Sequence, residues 1–143
     1  MSRRKTGSVA ELAVASKLVE LGFTVSWPLS SVTYDLIAEK GGKSSRIQVK
    51  GASISKHGSY RCSILHGACD NRRNYRKKDC DFIVFYAPYS KDFSEEATDG
   101  FYVVPVSVLR PPRAQIILFP AGKGRGNRKT SIWEKYRDGW SSI

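Results

Sequence analysis

The feature that most constrains this chain is a hairpin whose two arms carry ionisable and amide side chains on one face. Residues 32–39 (Val-Thr-Tyr-Asp-Leu-Ile-Ala-Glu) and 46–51 (Arg-Ile-Gln-Val-Lys-Gly) flank Lys40-Gly-Gly-Lys-Ser-Ser. Period-two patterning on either side of a glycine pair predicts two antiparallel strands joined by a tight turn. Alternation places Thr33, Asp35 and Ile37 on one face of the first arm, with Tyr34, Leu36 and Ala38 behind. In the second arm Gln48 and Lys50 share a face, and Ile47 and Val49 share the other. A turn at Gly41-Gly42 pairs Asp35 with Gln48, and one at Gly42-Lys43 pairs it with Lys50. Both registers keep Asp35, Gln48 and Lys50 together, direct partners about 5 Å apart; only a one-residue slip separates them.

Ahead of the hairpin, residues 7–21 read as a helix ending at Gly22, a suitable position for the residue after a helix. At 3.6 residues per turn, Ala10, Val14, Leu18 and Leu21 share an apolar face with Leu12, Ala15 and Val19, opposite Ser16, Lys17 and Glu20. Glu11 falls near the middle of that apolar face, where a carboxylate is costly unless donors or a cation meet it. A helix-start glutamate, wet and favoured by the dipole, is the competing reading. Further strands are expected at 23–27, 60–65, 101–106 and 115–119. The run Asp81-Phe-Ile-Val-Phe-Tyr-Ala has the continuous apolarity of a strand buried on both faces. Short helices are expected within 70–79 and 132–140, an acidic loop at 88–100 and a basic glycine-rich segment at 122–131. The sum is an α/β fold, a mixed β-sheet flanked by helices, in one domain over 1–143 with a basic C-terminal extension from about residue 120.

Twenty-four Lys and Arg against thirteen Asp and Glu leave a net charge of +11, which points to a polyanionic partner, a nucleic acid above all. No apolar run approaches the roughly 20 residues of a membrane span, and the N-terminus lacks a signal-peptide core, so a cytoplasmic protein, nucleoid-associated when bound to DNA, is expected. Cys62, Cys69 and Cys80 are an odd set without C-x-x-C spacing. Buried, inert thiols are expected over a disulfide or a zinc site built with His66. Arg72, Arg73, Arg76, Lys77 and Lys78 surround Tyr75, and Lys123, Arg125, Arg128 and Lys129 sit among glycines. With Arg3, Arg4 and Lys5 these are the candidate DNA contacts, a solvated charged face being the alternative for the first group. Trp133, Tyr136 and Trp140 read as core or subunit interface. A domain this small covers few base pairs, so a homodimer or homotetramer on a near-palindromic site is expected.

A carboxylate beside a lysine on one sheet face can be an ordinary cross-strand ion pair, worth little. Asp35, however, lies inside an apolar strand, and Glu11 offers a second carboxylate from a helix expected to cover that sheet. Two carboxylates and a lysine at a sheet edge suit Mg²⁺-assisted attack on a phosphate. The hard cation takes oxygen ligands, polarises the phosphoryl group and lowers the pKa of attacking water, while the lysine stabilises developing negative charge.

Asp35-x₁₂-Gln48-Val49-Lys50, preceded by Gly7-x₃-Glu11-x₃-Ala15, resembles the PD-(D/E)XK nuclease superfamily over roughly residues 5–87. Within it the chain is similar to the small intron-associated homing endonucleases and, more distantly, to archaeal Holliday-junction resolvases. The resemblance implies a restriction-endonuclease-like core and a Mg²⁺-dependent, site-specific DNA endonuclease, with Mn²⁺ able to substitute. By position, Asp35 would be the central metal ligand, Glu11 the helix-borne acid, Lys50 the catalytic lysine and the Val49 carbonyl a further ligand. Tyr75 and Asp81 match an accessory Tyr-x₅-Asp pair, for which a structural hydrogen bond is the alternative. The chain departs from the pattern at Tyr34, in the proline position, and at Gln48, in the slot of the second acid. An amide there offers a carbonyl oxygen without charge, to hold metal weakly or to orient water. A junction-selective nuclease and a nucleic-acid-binding module impaired by Gln48 are the rival readings.

Overall fold

The computed structural model describes residues 3–54, 59–67, 72–88, 99–109, 115–118 and 132–143. Gly41 and Gly42 take φ values of 59° and 76°, which glycine adopts without strain. They close a two-residue turn between β2 (Leu36–Lys40) and β3 (Lys43–Gly51). Lys40 pairs with Lys43 and Leu36 with Ile47, so of the two registers the Gly41-Gly42 turn is the one formed. β1 (Thr24–Ser26) adds antiparallel to β2. β8 (Phe82–Ala87) lies parallel to β3, and β9 (Gly100–Pro105) runs antiparallel to β8. Among the described residues the main sheet is five-stranded, in the order β1-β2-β3-β8-β9.

Helix α1 (Arg3–Glu20) covers one face of this sheet. Ala10, Val14, Ala15 and Leu18 pack on Leu36, Ala38, Ile47, Val49 and Val84. The other face is covered by β5 (Tyr60–Ser63), paired with β4 (Ser53–Ile54) and β10 (Gln115–Leu118). There Tyr60, Cys62, Ile64, Ile83, Phe85, Tyr102, Ile116 and Leu118 form the second core. The alternate residues of β8 thus enter opposite cores, as its unbroken apolarity requires. Trp133 and Trp140 are buried, one in each core. No helix among the described residues is long and apolar enough to cross a membrane.

Three expectations are corrected. Leu12 and Val19 are 62% and 60% exposed; both lie about 100° or more round the helix from Leu18, beyond the arc the sheet covers. The described part of 70–79 holds no helix: β7 (Arg73–Asn74) pairs with β6 (Leu65–His66), and the chain turns at 77–79. The Asp79 side chain, bonded to Arg73 and to the Arg76 N–H, closes that turn. In place of one helix over 132–140 there are two 3₁₀ turns, Glu134–Tyr136 and Trp140–Ser142. Asp138 at φ 50° breaks the run, and its N–H donates to Phe101 O at 2.9 Å instead of within a helix. Most of the loop at 88–100 and residues 120–131 of the basic extension, including Lys123, Arg125, Arg128 and Lys129, lie outside the described residues.

Leu18→Ala should lower unfolding free energy by about 2–5 kcal/mol in urea titrations. Leu12→Ala, on the outer face of the same helix, should change it by no more than about 0.5 kcal/mol; equal losses would mean the helix docks by another face.

Candidate active site

The site forms where the chain enters β2. The Asp35 N–H donates to Ile47 O at 2.8 Å, the residue that Leu36 already pairs with, so Asp35 stands at a bend just outside the regular ladder and not within the expected strand. The Asp35 side chain then turns to β3, its Oδ2 accepting from the Val49 N–H at 2.9 Å. One carboxylate oxygen is therefore pinned by the strand backbone. Burial pushes the Asp35 carboxyl up from its ordinary value, against the Val49 N–H and the charge of Lys50, which pull it down.

Glu11 reaches the same place from α1. It is half-buried, between Ala10 and Val14 on the packed face, and burial followed by the charge of Asp35 pushes its carboxyl up. Two carboxylates in a partly dry site, the charge of one raising the proton affinity of the other, form an anionic pair that a cation would relieve.

Lys50, two residues on from Gln48 and on the same face of β3, is half-buried. Its Nζ donates to Leu65 O at 3.2 Å and lies 5.1 Å from the centre of the Tyr75 ring. Burial lowers its ammonium pKa, opposed chiefly by Asp35. Gln48 Nε2 donates to Val49 O at 3.2 Å, so the amide and the carbonyl expected as a ligand are already in contact. Asp35 thus lies within electrostatic reach of both Glu11 and Lys50, with Gln48 and Val49 between Asp35 and Lys50 on the strand.

The donor set comprises two carboxylates, a backbone carbonyl and an amide oxygen. These are hard oxygen donors that fit Mg²⁺ or Mn²⁺ and would be poor for a soft metal. Among the described residues no three His, Cys, Asp or Glu side chains gather into a metal-holding group, because position 48 supplies an amide where a third acid would stand. Among the described residues Cys62, His66 and Cys80 do not gather into a metal-holding group either; Cys62 and Cys80 are buried free thiols, and Cys69 lies outside the described residues. Burial pushes the Cys80 thiol up to about 12, which leaves it protonated and inert.

The basic cluster divides. Arg76, Lys77 and Lys78 are exposed, as is Arg72. Arg73 is held in the fold: its guanidinium grips Asp79 with both arms, at 2.7 and 2.8 Å. Tyr75 is buried, its ring 5.3 Å from that of His66, and with the Leu65 carbonyl it walls the Lys50 ammonium. Asp81 is structural, accepting from the Arg46 N–H at 2.8 Å and from Arg46 Nη2 at 3.2 Å. Sequence reasoning passed over Arg46, which also donates to Lys77 O and Lys78 O, both at 2.9 Å. No motif marks it; an arginine at a strand start reads as an ordinary solvated residue.

A helix crossing a mixed sheet, with acids from the helix and from a strand entry facing a strand lysine, is a restriction-endonuclease-like fold. The chain belongs to the PD-(D/E)XK endonuclease family, whose sequence model matches residues 1–138. A bacterial homing endonuclease, I-Ssp6803I, superposes with a TM-score of 0.80 at 28% identity, over 100% of this chain and 93% of that one. Protein 5.3 of Escherichia phage T7 is 34% identical over 83 residues, 57% of this chain and 70% of the phage protein.

The Arg73–Asp79 pair carries a pH signature. Chiefly through its bonds to Arg73, the Asp79 carboxyl falls from 3.8 to about 2. A carboxyl depressed on folding contributes stability that is complete above its ordinary value and vanishes as pH falls toward 2, here about 2 kcal/mol. Urea midpoints should fall between pH 4 and pH 2, and Asp79→Asn should be less stable at pH 7 and flatter across that window. A variant as pH-dependent as the parent would contradict the pairing.

Proposed function

We propose that this endonuclease cuts double-stranded DNA with Mg²⁺ at a specific site, in the manner of a homing endonuclease. The observation that carries the reading is Asp35, held by the Val49 N–H at the end of the β2–β3 hairpin and within electrostatic reach of both Glu11 and Lys50. Glu11 and Asp35, with the Val49 carbonyl and Gln48, would hold the ion. When bound, Mg²⁺ supplies charge for the phosphoryl oxygens and acidifies a water for attack. Lys50, held half-dry between Leu65 O and the Tyr75 ring, faces the phosphate as a cation and stabilises the charge that develops on its oxygens. The Val49 N–H keeps Asp35 aimed, and the Gln48 amide N–H₂, spent on Val49 O, leaves Gln48 Oε1 as the end offered to metal or water. Arg76, Lys77 and Lys78 take backbone phosphates, with the basic segment at 122–131 as a further arm. Activity as a symmetric dimer or tetramer matches the small footprint of one chain.

Incubation of the purified protein with a randomised duplex library and Mg²⁺ should yield cut molecules sharing one sequence. Mn²⁺ should substitute, and chelation should stop cutting while leaving DNA binding. Lys50→Ala and Asp35→Asn should each reduce cutting about 10²-fold or more without comparable loss of binding. No nicking of any DNA with either ion, or unaffected variants, would overturn the reading; a preference for four-way junctions over linear duplex would favour a resolvase.

Gln48→Glu should tighten Mn²⁺ binding measured by calorimetry, since it replaces a neutral donor by a charged one. Unchanged affinity would take the Gln48 side chain out of contact with the ion.

A further inference from the structure

Between β1 and Asp35, residues 27–32 (Trp-Pro-Leu-Ser-Ser-Val) present three large apolar side chains to water. Trp27 is 52% exposed, Leu29 104% and Val32 44%. Solvent gives such a tip no stabilisation, and exposed apolar residues gathered in one short loop mark a contact. The base of the loop is tied. Ser26 pairs with Ile37, Thr33 Oγ1 donates to Asp79 O at 2.7 Å, and the Tyr34 ring lies 5.9 Å from the Arg46 guanidinium. The tip therefore projects from fixed ends, one of which runs directly into Asp35.

The same ties place exposed cations beside it. Asp79 and the carbonyls of Lys77 and Lys78 are bonded to Thr33 and Arg46, so the exposed Arg76, Lys77 and Lys78 flank the foot of the loop. An apolar projection on a cationic shoulder fits duplex DNA, which offers phosphates at its rim and thymine methyls, sugars and base faces within its grooves. A second copy of a chain with a net charge of +11 would bring like charge against this shoulder.

We propose that residues 27–32 are a DNA-contacting element, in which Leu29 and Trp27 press into a groove beside the scissile phosphate while Arg76, Lys77 and Lys78 hold the flanking backbone. The element supplies affinity through apolar burial against the bases, as apolar wedges do, and through it a preference for deformable steps near the cut. This rests on the proposed action on double-stranded DNA.

The test measures binding of the full chain to a short mixed-sequence duplex by fluorescence anisotropy over a range of salt, alongside sedimentation of the free protein. The double variant Trp27→Ser/Leu29→Ser, altered at exposed positions only, should bind roughly tenfold or more weakly at every salt concentration. Its slope of log Kd against log salt should stay unchanged, because no phosphate contact is removed. Lys77→Ala/Lys78→Ala should instead reduce that slope by about 2. Wild-type affinity in the double serine variant would overturn the inference, as would a wild-type oligomer that this variant dissociates, which would make the tip a protein–protein contact. Failure of the wild type itself to bind or nick DNA would sink the proposed function and this inference together. Firm wild-type binding with an unaffected variant would sink the inference alone.

Discussion

One hydrogen bond organises the site: the Val49 N–H held by the Asp35 carboxylate at 2.9 Å. It fastens the start of β2 to β3 just where the regular ladder ends at Leu36 and Ile47. Because side chains alternate along a strand, fixing this pairing also fixes which face receives Gln48 and Lys50. The buried residues on the reverse, Ile47 and Val49, then seat α1, and α1 brings Glu11. A slip of one residue would turn the lysine toward the helix and bury it among Val14 and Leu18. Hydrophobic packing therefore enforces the geometry of the polar site.

That geometry stores unfavourable electrostatics. Glu11 and Asp35 are both partly dehydrated and mutually repelling, and Lys50 is held at a lowered pKa by the same burial. Such a cluster weakens the fold unless something compensates, and an oxygen-ligated cation does so directly. Tyr75 and the Leu65 carbonyl steady the lysine from the far side. Chain segments that show no catalytic signature of their own, β6 and β7, thereby become part of the site, and the Arg73–Asp79 and Arg46–Asp81 pairs hold them in position.

Much of this was legible in the sequence wherever a local rule was strong. The glycine pair with alternating arms announced the hairpin, the apolar run 81–87 announced a central strand, and Glu11 stood out against Ala10, Val14 and Leu18. What escaped depended on contacts distant in the chain. Arg73 looked like one more cation until Asp79 was seen folded back on it. Arg46 had no signature because its partners lie more than thirty residues away. Leu12 and Val19 were placed on the packed face because a helical wheel shows period but not the width of the surface it meets. The tip at 27–32 falls at the junction of the strands expected at 23–27 and 32–39 and carries no motif, although apolar residues crowded into a Pro/Ser loop are themselves a signal.

The central claim, that two carboxylates from different elements share one ion, is tested most directly by a double-mutant cycle on Mn²⁺ affinity with Glu11→Gln and Asp35→Asn. Asparagine keeps an oxygen to accept from the Val49 N–H, so the hairpin survives the change. Each single variant should lose most of the affinity, and the double variant little more than either, a strongly non-additive cycle. Additive losses, or a wild type that takes up no Mn²⁺, would contradict the account.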